Sequence, residues 1–104
     1  MAAHGVTWPA TLGRMLQLDI DRDSSIPPYR QVAALLAAAV RRGDLAPGDR
    51  LPSIIDIVQA AGVARLTAAK ALRLLAAQGW AELSPGMGYY VPDRLPGAHP
   101  RNMS

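Results

Sequence analysis

The sequence predicts a mainly α-helical fold with a small β wing, in the order helix, helix, helix, two-stranded hairpin. Three segments carry apolar residues at the spacing that places them on one face of a helix, and a glycine follows each segment. After the third glycine, two short runs of strand-forming residues flank a glycine-rich loop. These observations predict one small domain over residues 26–92.

The composition fits a single domain and excludes several classes of site. The chain has 104 residues, a net charge of +3 and no cysteine, which excludes disulfides and thiolate metal sites. His4 and His99 lie near opposite ends in loop-like sequence, which argues against a metal site and a histidine-based catalyst. With no nucleophile constellation, no apolar run of the roughly 20 residues that span a bilayer and no secretory signal, we expect a cytoplasmic, non-enzymatic protein without metal or cofactor.

The two ends of the chain lack the helical pattern. We expect residues 1–25 to form an N-terminal arm that is partly disordered. Leu18 and Ile20 alternate with polar residues, which favours either a short strand or an extended segment. Residues 93–104 are rich in proline, glycine and polar residues and are predicted to be a tail or the beginning of a linker.

The first helix is expected to begin near Pro28, because proline suits the first helical turn, where its missing N–H has no helical partner. Gly43 supplies a left-handed residue after the last turn. Arg41 and Arg42 lie in that turn, where positive charge favours the negative end of the helix dipole. The residues expected to face the core are Val32, Leu35, Leu36, Ala39 and Val40.

The second and third helices follow closely. Ser53 and Asp56 form a pattern resembling a capping box, with Asp in place of the usual Glu, at the start of the second helix. Gly62 ends that helix, and the third is predicted from about Arg65 to Gln78. The predicted core residues are Ile54, Ile57, Val58 and Ala61 in the second helix and Ala68, Ala71, Leu72 and Leu75 in the third.

The hairpin is predicted from two short strands, residues 80–83 and 89–91, joined by the loop 84–88. Residues 49–51 are a candidate for a very short strand against it. Three helices followed by such a hairpin form a winged helix-turn-helix. The usual work of this unit is to place its third helix in the major groove of DNA.

Five segments resemble the GntR family of bacterial transcription regulators, in the family's order and spacing. They are residues 28–32, 43–53, 62–67, 71–80 and 86–91. The resemblance implies a homodimer that binds double-stranded operator DNA, with the third helix in the major groove and the wing near the minor groove. An inverted-repeat operator is then expected.

The resemblance also implies site residues. In the family, the arginine and threonine that match Arg65 and Thr67 begin the recognition helix and contact DNA, and the serine that matches Ser53 begins the second helix. The physical chemistry agrees, because an arginine fork can bind guanine O6 and N7, whereas a positive charge at a helix N-terminus is otherwise unfavourable. We predict DNA contacts from Ser53, Arg65, Leu66, Thr67, Lys70, Arg73, Gly86, Met87 and Gly88. For Lys70 and Arg73, a solvated helix face is the alternative.

Four departures from the family pattern fall on the expected DNA face. The family usually has Glu-Arg at positions 54–55, arginine at Ala69, arginine between the wing glycines and serine at Ala64. These departures favour one alternative function, a winged-helix module with a degenerate DNA face that binds a protein partner. Its contact residues would be Ile54, Ile55, Leu66 and Met87.

The primary prediction is a sequence-specific DNA-binding transcription regulator. Full-length family members usually carry an effector domain after the wing, and the residues that follow the wing here are too few for a ligand pocket. The chain is therefore either a minimal regulator or the N-terminal part of a larger one.

Overall fold

A computed structural model describes residues 18–96 of the chain. It contains three helices and one antiparallel hairpin, which confirms the predicted fold class. The helices are α1 (Pro28–Arg42), α2 (Ile54–Ala61) and α3 (Arg65–Ala77), and the strands are β1 (Glu82–Ser84) and β2 (Gly88–Tyr90). Most of the partly disordered arm predicted for residues 1–25, and most of the tail or linker predicted for residues 93–104, lies outside the described residues.

Helix α1 begins and ends as predicted. Pro28 occupies the first turn, and Gly43 follows the helix with φ 89°, a left-handed conformation that an L side chain rarely adopts. The N–H of Gly43 donates to the carbonyl of Val40 at 3.1 Å. The buried face of the helix consists of Val32, Ala33, Leu36, Ala37, Ala39 and Val40, whereas the predicted core residue Leu35 is half-buried.

Helix α2 is closed at both ends by side chains. The predicted capping box is present: the Ser53 hydroxyl accepts from the Asp56 N–H at 3.1 Å, and the Asp56 carboxylate accepts from the Ser53 N–H at 3.0 Å. At the other end, the Arg22 guanidinium donates to the carbonyls of Ala61 at 3.3 Å and Gly62 at 2.7 Å. A residue that precedes α1 in the chain therefore seals the C-terminus of α2.

Helix α3 is the central element, because it packs against both α1 and α2. All four of its predicted core residues are buried: Ala68, Ala71, Leu72 and Leu75. The helix ends at Ala77, one residue earlier than predicted, and the Trp80 N–H then donates back to the Leu75 carbonyl at 2.9 Å. That bond keeps Trp80 beside the end of the helix.

The wing differs from the prediction in its boundaries. In the hairpin, Leu83 pairs with Tyr89, and Ser84 pairs with Gly88. The first strand begins at Glu82, two residues later than predicted, because Trp80 is still bonded to α3 and Ala81 is buried beneath the hairpin. The second strand begins one residue earlier than predicted, at Gly88, so a wing glycine is part of the ladder.

The very short third strand is confirmed as an isolated bridge. Arg50 pairs with Tyr90, the Leu51 N–H donates to the Tyr89 carbonyl at 2.8 Å, and the Val91 N–H donates to the Asp49 carbonyl at 2.9 Å. These bonds tie the wing to the segment that leads into α2. The wing therefore has a fixed position relative to the helices.

The segment before α1 is not paired in the sheet: residues 18–21 have no regular secondary structure, and residues 22–26 form a turn and bends. Of the two alternatives, the short strand is therefore not formed from residue 18 onward. Leu18 is 2% exposed and belongs to the core, whereas Asp19 is exposed. Between residues 18 and 96, no helix has the length and apolarity needed to cross a membrane.

Candidate nucleic-acid interface

The first turn of α3 projects away from the core. Arg65 and Leu66 are exposed, and Leu66 retains 73% of its accessible surface, whereas Thr67 is half-buried. One and two turns further along lie Ala69 and the exposed Arg73, on the same side of the helix as Leu66. This stripe lies opposite the buried residues of α3 and is the side that could enter a DNA groove.

The N-terminus of α3 has no side-chain cap. Ala64 occupies the capping position, where it makes no side-chain hydrogen bond, and the first turn contains no acidic residue. The first backbone N–H groups of the helix therefore retain their donor capacity, and Arg65 adds positive charge beside the positive end of the dipole. Such an end is suited to bind an anion.

Ser53 has a different environment at the start of α2. Its hydroxyl oxygen already accepts from the Asp56 N–H, and the carboxylate of Asp56 compensates the positive end of the helix. The hydroxyl hydrogen can still be donated to a phosphate. Capping by Ser53 is thus confirmed, whereas its contact with DNA stays a prediction.

Lys70 lies on the side of α3 that faces α1. Its ammonium nitrogen is 4.5 Å from the centroid of the Tyr29 ring, a cation–π geometry. This contact holds the lysine side chain along the interface between α1 and α3. A phosphate contact from Lys70 would have to form while this contact is kept or in exchange for it.

The wing tip presents one apolar side chain between two glycines. Met87 is 59% exposed, and its N–H donates to the Ser84 carbonyl at 2.8 Å, which closes the turn. Gly88 has φ 116°, a conformation that favours glycine. The predicted residues Gly86, Met87 and Gly88 are therefore together at an exposed turn that another molecule can approach closely.

Arg50 is a basic residue beside the wing that the sequence analysis did not select. It is exposed, and its guanidinium lies across Gly88, so that a Cβ on that glycine would be 3.4 Å from Nε. Arg50 also lines a cleft of about 300 Å³ that contains Ser53 and separates the start of α2 from the wing. The sequence does carry a signal for Arg50, which is its alternation with the apolar Leu51. Successive side chains of a strand point to opposite sides, so burial of Leu51 places Arg50 on the outside.

The four apolar residues of the alternative prediction are distributed over this face. Ile54 is half-buried and Ile55 is 45% exposed, and both line the cleft that contains Arg50. Met87 lines a second cleft, on the other side of the wing, and Leu66 lines neither. The structure therefore brings the two isoleucines together with the wing and places Leu66 apart, on α3.

Asp21 has a structural role in the arm. The Asp21 carboxylate accepts from the Asp23 N–H at 3.0 Å, and the Asp21 N–H donates to the Gln31 side chain at 2.8 Å. Over residues 18–96, no cluster of three or more His, Cys, Asp or Glu side chains could hold a metal ion.

Sequence comparison identifies relatives among bacterial regulators. Residues 28–91 match the model for the bacterial regulatory proteins of the gntR family. YdcR of Escherichia coli, an uncharacterized HTH-type transcriptional regulator, is 41% identical over 63 residues, which are 61% of this chain and 14% of YdcR. The mannosyl-D-glycerate transport/metabolism system repressor MngR of Escherichia coli is 40% identical over 67 residues, 64% of this chain and 28% of MngR. The chain thus spans less than a third of the length of each of these two relatives.

Solved structures give the same result. YtrA from Sulfolobus acidocaldarius, a GntR-family transcription factor, superposes with a TM-score of 0.69 at 33% identity, over 75% of this chain and 82% of YtrA. The AraR DNA-binding domain in complex with operator ORX1 superposes with a TM-score of 0.66 at 26% identity, over 72% of this chain and 95% of that domain. The family model covers more than half of the chain. This chain therefore belongs to the GntR family of bacterial regulatory proteins.

Proposed function

We propose that this domain binds double-stranded operator DNA and acts in transcription control, with α3 in the major groove and the wing near the minor groove. The observation that carries the proposal is the N-terminus of α3, where an uncapped helix end, Arg65 and the exposed Leu66 share one turn. The similarity to the AraR domain that was solved with operator DNA supports it.

The chemistry of the first turn suits base recognition. The Arg65 guanidinium can donate two hydrogen bonds to O6 and N7 of one guanine, and Leu66 can contact a thymine methyl group. Thr67 and the first backbone N–H groups of α3 can bind a phosphate. This turn therefore supplies contacts with the bases and a contact with a DNA phosphate that fixes the helix in the groove.

The wing and its neighbours supply the outer contacts. Gly86 and Gly88 allow the backbone of the wing to approach the sugar–phosphate chain. Met87, which lies between the two glycines, can then make an apolar contact in the minor groove. Arg50, next to Gly88, adds a positive charge at the same place. Arg73 is positioned to neutralise a phosphate one turn further along α3 than Ala69.

The assembly we propose is a cytoplasmic homodimer on an inverted repeat. Two copies related by two-fold symmetry read half-sites about 34 Å apart, one turn of the duplex. Residues 26–92 form the DNA-binding domain, preceded by the arm at residues 1–25 and followed by a linker or tail at residues 93–104. Repression is the mode of action given in the name of MngR, and we propose it here.

Selection from a random pool of DNA duplexes at two salt concentrations tests the proposal. The chain should enrich one motif, with two inverted half-sites, and the enrichment should weaken at high salt. Arg65→Ala should lose the motif, whereas Arg30→Ala, an exposed arginine on α1, should keep it. No enriched motif at either salt concentration would refute operator binding by this domain.

The apolar residues on the same face favour a second candidate function, binding of a protein partner through Ile54, Ile55, Leu66 and Met87. Three of these side chains are large, apolar and exposed, at 45% for Ile55, 73% for Leu66 and 59% for Met87. Exposed apolar residues that adjoin one another mark interaction surfaces, and Ile54 and Ile55 adjoin in the cleft beside the wing, which would be the centre of such a contact. Met87 and Leu66 would then contact the partner at separate points. A failed DNA selection, together with a partner whose binding is lost in Ile55→Asp and Met87→Asp, would establish this function instead.

A further inference from the structure

A groove on another side of the molecule contains none of the proposed DNA contacts. It lies between α1 and the C-terminal half of α3 and has a volume of about 570 Å³. Ala34, Ala37, Leu74 and Trp80 form its apolar part, and Arg30 and Arg41 lie along α1 on its edge. The groove therefore combines an apolar surface with positive charge.

The spacing along α1 sets the dimensions of the groove. Arg30 and Arg41 are eleven residues apart, which is about three helical turns, so they lie on the same side of α1 and about 16 Å apart along its axis. Ala34 and Ala37 lie between them and have only methyl side chains. The surface between the two arginines is therefore low enough for another chain to lie close to α1.

The charge of the groove is not compensated within residues 18–96. No carboxylate lines it, and neither Arg30 nor Arg41 forms a salt bridge there, whereas the neighbouring Arg42 is paired with Asp44 at 2.8 Å. Arg41 lies over the indole ring of Trp80, 5.8 Å from the ring centroid. This contact orients the guanidinium at the apolar end of the groove.

We propose that this groove binds an acidic, amphipathic segment of another protein. Two carboxylates about three helical turns apart would pair with Arg30 and Arg41, and the apolar side chains between them would pack against Ala34 and Leu74. The apolar surface argues for a protein rather than for DNA, because a phosphate chain needs hydrogen-bond donors along its length.

The groove and the proposed DNA face are separate enough to be occupied together. Gln78, which lines the groove, follows Leu66 by twelve residues, a distance of about 18 Å along the helix. The inference goes beyond the proposed function, since it adds a contact through which a DNA-bound regulator can recruit another protein.

Selection of a displayed library of random peptides against the chain tests the proposal. The double variant with Arg30→Glu and Arg41→Glu serves as the groove variant, and the double variant with Arg50→Glu and Arg73→Glu serves as a control with the same net charge. The enriched peptides should carry acidic residues on both sides of apolar ones. They should bind the groove variant at least about tenfold more weakly than the control, in fluorescence anisotropy.

Three results would overturn the proposal. The first is the absence of enrichment, or enrichment of peptides without acidic residues. The second is a groove variant that loses DNA affinity as strongly as the control does, which would make the groove a DNA contact. The third is a concentration-dependent dimer that the groove variant alone abolishes, which would make the groove an interface between copies. Peptide binding that survives in the control, which lacks DNA-face charges, would separate this inference from the DNA proposal.

Discussion

Arg65 and Leu66 are neighbours in one turn but have opposite chemistry, and both are exposed at an uncapped helix end. Because neither side chain is buried, a positive charge lies beside the positive end of the helix dipole and an apolar surface is exposed to water. Both become favourable when the turn contacts a DNA groove, which offers acceptors to the arginine and thymine methyls to the leucine. At the scale of the residue, the proposed function is thus concentrated at the start of α3.

The first prediction concerns Arg65. Arg65→Ala should weaken specific DNA binding by about 1–3 kcal/mol, the value of one bidentate base contact, because alanine offers no fork for guanine. The thermal midpoint should not fall, since the side chain is exposed and alanine is a good helix former. Titration of the selected operator by fluorescence anisotropy measures the change. Unaltered operator affinity would remove Arg65 from the interface.

The second prediction concerns the contact between Lys70 and Tyr29. A double-mutant cycle with Lys70→Gln and Tyr29→Leu should give a coupling energy of about 0.5–1 kcal/mol in urea unfolding, the value of an exposed cation–π pair. A coupling energy near zero would show that the lysine leaves the ring in solution and is available to a phosphate.

At the scale of the element, the helices could be predicted from local signals. The signals that end these helices act within one or two turns, as at Pro28, Gly43 and the Ser53–Asp56 capping box. Neighbouring residues therefore determine where each helix begins and ends.

The strand boundaries could not be predicted as well, because the backbone bond from Trp80 to Leu75 delays the first strand. That bond and the one from the Gly79 N–H to the Ala76 carbonyl close the helix at Gly79, whose φ is 87°, so the glycine accounts for both bonds. The residue at which the ladder then begins depends on the burial of Ala81 beneath the hairpin, which is not a local signal.

The third prediction concerns the core of α3. Leu72 is 2% exposed on the central helix, so Leu72→Ala should lower the free energy of unfolding by about 2–5 kcal/mol. A domain of this size has little more stability than that. Chemical denaturation followed by circular dichroism measures it, with Leu66→Ala on the exposed side as the control. A loss below about 1 kcal/mol would contradict the packing described here.

At the scale of the whole molecule, surfaces arise from residues that are distant in the chain. The cleft beside the wing joins residues 50–55 to Gly88, and the α1–α3 groove joins Arg30 to Trp80. A sequence without an alignment carries no signal for such pairs. The contact residues on α3 could be selected from the family pattern, whereas Arg50 and the groove required the fold.

The fourth prediction concerns the departures from the family on the DNA face. Replacing Ile55, Ala69 and Met87 with arginine should add phosphate or groove contacts and steepen the slope of log affinity against log salt by up to about 0.9 for each regained phosphate contact. Non-specific affinity should rise as well. A triple arginine variant on the outer side of α1 is the control for added charge. Equal gains in both variants would mean that these three positions do not face DNA.

The closure of α2 by Arg22 bears on where the folding unit begins. Similarity to the family starts at residue 28, yet Leu18 is a core residue, and Arg22 donates to the carbonyls of Ala61 and Gly62 at the end of α2. We therefore expect a fragment of residues 26–92 to unfold at lower urea concentration than residues 18–96, with Arg22→Ala reproducing part of the loss. Equal midpoints would contradict this. A chimeric regulator assembled by joining domains at residue 28, the edge of the family match, would lose Leu18 and Arg22 and their contacts with the helices. The segment from residue 18 should therefore be transplanted together with the three helices.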